Sequence, residues 1–203
     1  MTAQEAKKFN LVTTGDQPTR DEAETAVRVL IRWAGDDPNR EGLIDTPARV
    51  ARSFEEYFSG YHEDAAEMLS RVFEETSGYS DMIMLNSIEF VSHCEHHIVP
   101  IVGKASLAYI PDRRIVGISK LARVVDIFAR RLQTQEAMTA QVATTIQNAL
   151  APKGVAVLVD ATHQCMTTRG VRKKDVSMVT SHFTGLFHDD GDLRERFLGQ
   201  AKT

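Results

Sequence analysis

Residues 82–111 read MIMLNSIEFVSHCEHHIVPIVGKASLAYIP, two apolar runs on either side of a histidine, a cysteine, a glutamate and two more histidines at 93–97. The runs at 82–92 and 103–111 are short, rich in Ile, Val, Leu and aromatic residues, and predict two strands joined through the CEHH segment. Downstream the apolar period changes. Ser119 reads as the N-cap of a helix over KLARVVDIFARRL, with Leu121, Val124, Val125, Phe128 and Leu132 on one side. QEAMTAQVATTIQNAL continues with Met138, Val142, Ile146 and Leu150 at helical spacing. GVAVLVDATH and VSMVTSHFTGLF then predict two further strands. The order β-β-α-α-β-β predicts an α+β domain, an antiparallel sheet with helices on one face.

Helices are expected before this unit. Thr19 and Glu22 have capping-box spacing, and Ala23, Val27, Leu30 and Ile31 keep a helical period up to Gly35. DTPARVARSFEEYFSG predicts a second helix, capped by Asp45 or Thr46 and ended by Gly60, and Ala65–Phe73 a short third. The expected organisation is a polar tail over 1–18, a helical region over 19–77 and the α+β domain over 78–203.

The 203 residues suit one domain with an extension, and 42% hydrophobic with 26% charged residues is ordinary for a globular chain. A formal net charge of −4 speaks against general nucleic-acid or membrane-surface affinity. No apolar run approaches the ~20 residues needed to span a bilayer. MTAQEAKKFN lacks the apolar core of a secretory signal, and two cysteines make no disulfide framework, so a reducing cytoplasm is expected.

Those two cysteines each lie close to a histidine. Cys94 and His97 have a C-x-x-H spacing that one turn can close around an ion, and thiolate and imidazole are ligands zinc prefers. His163 and Cys165, two residues apart at the end of a predicted strand, would face one side together in an extended chain. If the hairpins are adjacent, Cys94, His97 and Cys165 meet. Three protein ligands leave a position for water, whose pKa zinc lowers to about 7. His96 and His163 would then serve as proton carriers, unless one of them is a fourth ligand of a purely structural site. His62, His93, His182 and His188 fit no such pattern and read as surface or packing residues.

A focused anion site is the second expectation. Ser119, Lys120 and Arg123 sit at the start of a predicted helix, and TRGVRKK adds Arg169, Arg172, Lys173 and Lys174 after the second cysteine. For the last three a solvated charged face is an equal reading. No G-x-x-x-x-G-K-[ST] loop occurs, which argues against a P-loop phosphoryl-transfer enzyme.

Taken together, DTPARVA, SHCEHHIVP, AYIP, VGISKLARVV, RLQTQE, HQCMTTRGV and TSHFTGLF, in this order over residues 20–187, resemble the GTP cyclohydrolase I family. One departure is AMT after QE, where the family often has RLT. The resemblance implies the tunnelling fold (T-fold) and one zinc per subunit held by Cys94, His97 and Cys165. It also implies a homodecamer of two stacked pentamers with active sites between subunits. The implied reaction converts GTP and water to formate and 7,8-dihydroneopterin triphosphate: activated water adds to C8 of the purine, the imidazole ring opens, and the ribose carbons rearrange. By the same resemblance His163 would protonate N7, His96 assist near the metal and Ser119 help the later sugar rearrangement. Glu136, with Gln135 beside it, would read the guanine edge. Lys120, Arg123 and Arg169 would hold the triphosphate, with Arg49 contributed by a neighbouring subunit. A related T-fold enzyme for another pterin or purine, and an inactive zinc-stabilised scaffold, are the competing readings.

Overall fold

The computed structural model describes residues 17–73 and 78–201. The expected 1–18 tail falls almost wholly outside them. The chain divides into two compact units between Glu56 and Tyr57. The first holds α1 (Arg20–Trp33) and most of α2 (Thr46–Tyr57). The capping box is present at α1: the Thr19 hydroxyl accepts from the Glu22 amide at 3.3 Å and the Glu22 carboxylate accepts from the Thr19 amide at 2.8 Å.

The second unit begins with a 3₁₀ turn, Ser59–His62. Gly60 lies inside this turn and not at a helix end. It is glycine because a Cβ there would stand 2.1 Å from the Ile127 carbonyl oxygen, and its amide donates to Arg130 O at 3.1 Å. The third helix is shorter than expected. α3 spans Ala65–Met68, capped by the Asp64 carboxylate, and the chain then forms β1 (Val72–Phe73). Val72 and Phe73 are drawn out of the helix by pairing with Val116 and Ile115 of a distant strand.

The main sheet carries the order foreseen. β2 (Ile83–Cys94) and β3 (Pro100–Ile110) form an antiparallel hairpin, with a register slip between Leu85 and Ile88 where Ser87 has φ 55°. β4 (Ile115–Val116) is the partner of β1. α4 (Ile118–Ala129) and α5 (Gln135–Leu150) follow, separated by β5 (Leu132–Gln133), which pairs in parallel with the end of β2. β6 (Gly154–His163) pairs with β3, the turn α6 (Gln164–Thr167) follows, and β7 (Met178–Gly185) closes the second hairpin. The sheet order is β5-β2-β3-β6-β7.

Ser119 is not the cap of α4. Gly117, leaving β4 with φ −60° and ψ 132°, takes that position without a side-chain hydrogen bond, and the helix starts at Ile118. The expected helical face is otherwise present: Leu121, Val124, Val125 and Phe128 of α4, and Met138, Val142, Ile146 and Leu150 of α5, are buried. They pack on Ala105, Leu107, Tyr109, Val155, Val157 and Val159 of β3 and β6. Alternate residues Ala108, Ile110, Ala156 and Leu158 face the other way, against Phe187 and Phe197 of α7 (Leu186–Asp189) and α8 (Gly191–Gln200). This second cover explains why GVAVLV is apolar at every position instead of every second one. Towards the CEHH end the outer face is open, with Val91 and Val102 about half exposed.

Candidate metal and substrate site

Adjacency of the two hairpins places the site. Pro100 pairs with His93, and its neighbour Ile101 pairs with His163, so the CEHH turn and the end of β6 lie side by side. The turn is closed by Ile98 N donating to Cys94 O at 2.9 Å and Cys94 N donating to Val99 O at 3.0 Å. Glu95 N donates to the Gln133 carbonyl at 2.9 Å, which anchors the turn to β5. Ile98 carries φ 54°, a conformation a β-branched residue adopts only under constraint.

Cys94, His97 and Cys165 each direct one donor atom to a common point, all within 4.8 Å of one another. The route taken by Cys165 differs from the extended geometry expected. β6 stops at His163, and Cys165 is delivered by the helical turn that Thr168 N closes onto Gln164 O at 3.0 Å. Burial and the neighbouring Cys94 push the Cys165 thiol above its ordinary value, while the Arg169 charge pulls the other way. Two adjacent thiols with an imidazole beside them form a donor set that a soft divalent cation fits. His97 directs Nδ1 towards Cys94 Sγ at 3.9 Å and accepts at Nε2 from Arg169 at 3.0 Å.

His96, next in sequence to His97, is exposed, and its Nε2 lies 3.9 Å from the Glu95 carboxylate. His163 is half-buried. Burial pushes its imidazole below the usual value, and the Glu136 charge partly offsets this. Its Nε2 lies 2.9 Å from Gln135 Oε1. Glu136 itself is exposed at the start of α5, whereas Gln135 beside it is 1% exposed and turned inward.

The other basic residues are more scattered. Lys120 donates to Met68 O at 2.7 Å, and Ser119 and Arg123 are exposed in the first turns of α4. Arg49 lies in the first unit, 3.4 Å from Asp45. Arg172, Lys173 and Lys174 line a shallow surface hollow with Asp175. His93, read as a packing residue, is buried against the rings of Tyr57 and Phe58, at 4.6 Å and 5.4 Å between centroids. Sequence reasoning missed Gln133, Thr139 and Thr180. The i,i+4 spacing of Gln135 and Thr139 was a usable signal, but nothing local marked Thr180.

The sequence model of the family described as GTP cyclohydrolase I matches residues 23–202. GTP cyclohydrolase 1 of Hyphomonas neptunium is 60% identical over 185 residues, which cover 91% of this chain and 90% of that protein. GTP cyclohydrolase 1 of Maricaulis maris is 59% identical over 182 residues, covering 90% and 89%. Among solved structures, the apo archaeosine synthase QueF-Like aligns with a TM-score of 0.43 at 18% identity, covering 51% of this chain and 93% of that one, too distant to bear on the site.

Proposed function

We propose, from the premise that this chain belongs to the GTP cyclohydrolase I family, that it opens the imidazole ring of GTP by hydrolysis, releasing formate and forming 7,8-dihydroneopterin triphosphate. The observation that carries the reading to particular residues is the convergence of Cys94, His97 and Cys165 within 4.8 Å, one strand pairing away from His163.

These three residues would hold a zinc ion. The chemistry such an ion supplies is Lewis-acid activation of water at neutral pH. The rest falls to the chain's own groups. His163 supplies the proton to the purine N7 that makes C8 electrophilic, and His96, exposed on the CEHH turn, relays protons in the same place. Glu136 accepts from guanine N1–H and the 2-amino group, an edge adenine lacks. Arg169, Lys120 and Arg123 neutralise the triphosphate; Lys120 exchanges its Met68 carbonyl for phosphate oxygens. Ser119, exposed at the head of α4, assists the sugar rearrangement. Gln135 is placed in the same site, and Arg49 completes the phosphate contacts from another subunit.

That last assignment requires an oligomer, a decamer of two pentamers. Apolar surface for it exists: Leu30 and Trp33 of α1 are 62% and 86% exposed. A cytoplasmic setting agrees with two free cysteines as ligands, and among the described residues no helix is long and apolar enough to cross a membrane.

The test is incubation with GTP, following formate release and the fluorescence of the oxidised pterin. Both products support the reaction. Formate without a pterin points to a related ring-opening enzyme, and neither product from zinc-loaded protein overturns the reading in favour of a scaffold.

A further inference from the structure

Gln135 was expected to read guanine, yet its side chain has nothing left to offer a substrate. It is 1% exposed, and Nε2 donates to Met178 O at 2.7 Å, Val159 O at 3.1 Å and Thr180 Oγ1 at 3.2 Å. An amide carries two N–H hydrogens, so three acceptors exhaust them. Two of those acceptors are backbone carbonyls, which never donate. The amide therefore cannot be turned over, and Oε1 must be the atom that faces His163.

The surrounding hydroxyls fit one direction of donation. Thr139 Oγ1 lies 2.7 Å from the Gln135 carbonyl and must donate to it. Its proton is then used, so in the 2.7 Å contact between Thr139 and Thr180 it is Thr180 that donates. The Thr180 oxygen remains free to accept from Gln135 Nε2. Thr139 is also 1% exposed, so its hydroxyl is shielded from water. The chain of donors and acceptors closes without conflict and leaves Oε1 a pure acceptor, 2.9 Å from His163 Nε2.

We propose that Gln135 acts on His163 and not on the substrate: its locked amide keeps a proton on His163 Nε2, so that Nδ1 is the nitrogen that trades the proton with the purine. Oε1 accepts from Nε2–H in both the neutral ring and the imidazolium, and therefore holds the ring in place through the whole cycle. Gln135 is a positioning residue, and Glu136, its exposed neighbour, takes the guanine edge alone. The inference rests on the reading of His163 as the proton donor to N7.

Solid-state ¹⁵N NMR on zinc-loaded, histidine-labelled protein tests it without any substitution at Gln135, the His163 signals being assigned by their loss in His163→Ala. At a pH where the ring is neutral, His163 should show protonated Nε2 and bare Nδ1; the opposite tautomer, or an even mixture, overturns the proposal. Kinetics supply the second arm. Gln135→Met, which keeps the volume and removes the amide, should lower kcat by about 10–100-fold, as losing the partner that orients a site histidine does. KM for GTP should stay within about twofold and zinc content should not change. A KM rise that accounts for the loss would make Gln135 a substrate ligand and overturn the proposal. Full activity of His163→Ala would instead remove His163 from the chemistry, while the tautomer measurement would still report on Gln135.

Discussion

Gln135 and His97 stand on two sides of one site and are held in opposite ways. Gln135 is buried, with both side-chain polar atoms paired to strands β6 and β7. His97 is exposed on a turn whose next residue, Ile98, has φ 54°. The Gln135 side is complete once the sheet has formed, because its partners are backbone carbonyls, threonine hydroxyls and the His163 imidazole. On the His97 side Cys94 and Cys165 converge, and Arg169, which acts on Cys165 and donates to His97, sets a single cation against two thiols. Folding alone finishes the first side, whereas the second is a donor set that a metal would complete.

The sharpest way to break this contrast is His97→Ala. Two thiols remain, so the purified variant should lose most of its zinc by atomic absorption and its formate release should fall to background. Its melting temperature should stay close to that of zinc-stripped wild type. Retained zinc would show that His97 is not a ligand. His96→Ala is the companion: zinc should remain near one per subunit while turnover falls by about 10²–10⁴-fold, the usual scale for lost acid–base help. If His96→Ala loses the metal and His97→Ala keeps it, the two roles are exchanged.

Glu136→Gln comes next. Replacing one carboxylate oxygen by an NH₂ facing guanine donors should cost about 1–3 kcal/mol in kcat/KM, or roughly five- to more than a hundredfold. Turnover of GTP equal to wild type would remove Glu136 from the guanine site. Arg169→Ala should weaken GTP binding several-fold more than guanosine binding, and affinity of the wild type for GTP should fall with added salt. Equal losses for nucleoside and nucleotide would mean that Arg169 serves His97, its partner at 3.0 Å, and not phosphate. The smallest effect on activity is expected from Thr139→Val, which removes the hydroxyl that donates to the Gln135 backbone carbonyl and accepts from Thr180. Denaturant unfolding should show a loss of about 1–3 kcal/mol with zinc content unchanged. Zinc loss in that variant would mean the two sides of the site are not independent.

Much of this protein was legible in its sequence. The strand runs at 82–92, 103–111 and 154–163 and the helical periods of α4 and α5 are local patterns, set by which side chains must be buried at each turn or pleat. The C-x-x-H spacing also acts locally, and together with the H-x-C-M-x-x-R-G segment it was enough to assign a family. Features that depend on distant partners were not legible. Val72 and Phe73 left their helix because Ile115 and Val116 offered a ladder, and Ser119 lost the capping position because that ladder ended at Val116 and left Gly117 to start the helix. The apolar run of β6 needed α8, more than thirty residues later in the chain, to account for its second buried face. Gln135 and Glu136 are adjacent and look alike as a polar pair at a helix start. Only tertiary packing separates them, because the carbonyls of Val159 and Met178 and the hydroxyl of Thr180 reach one side chain and leave the other in solvent.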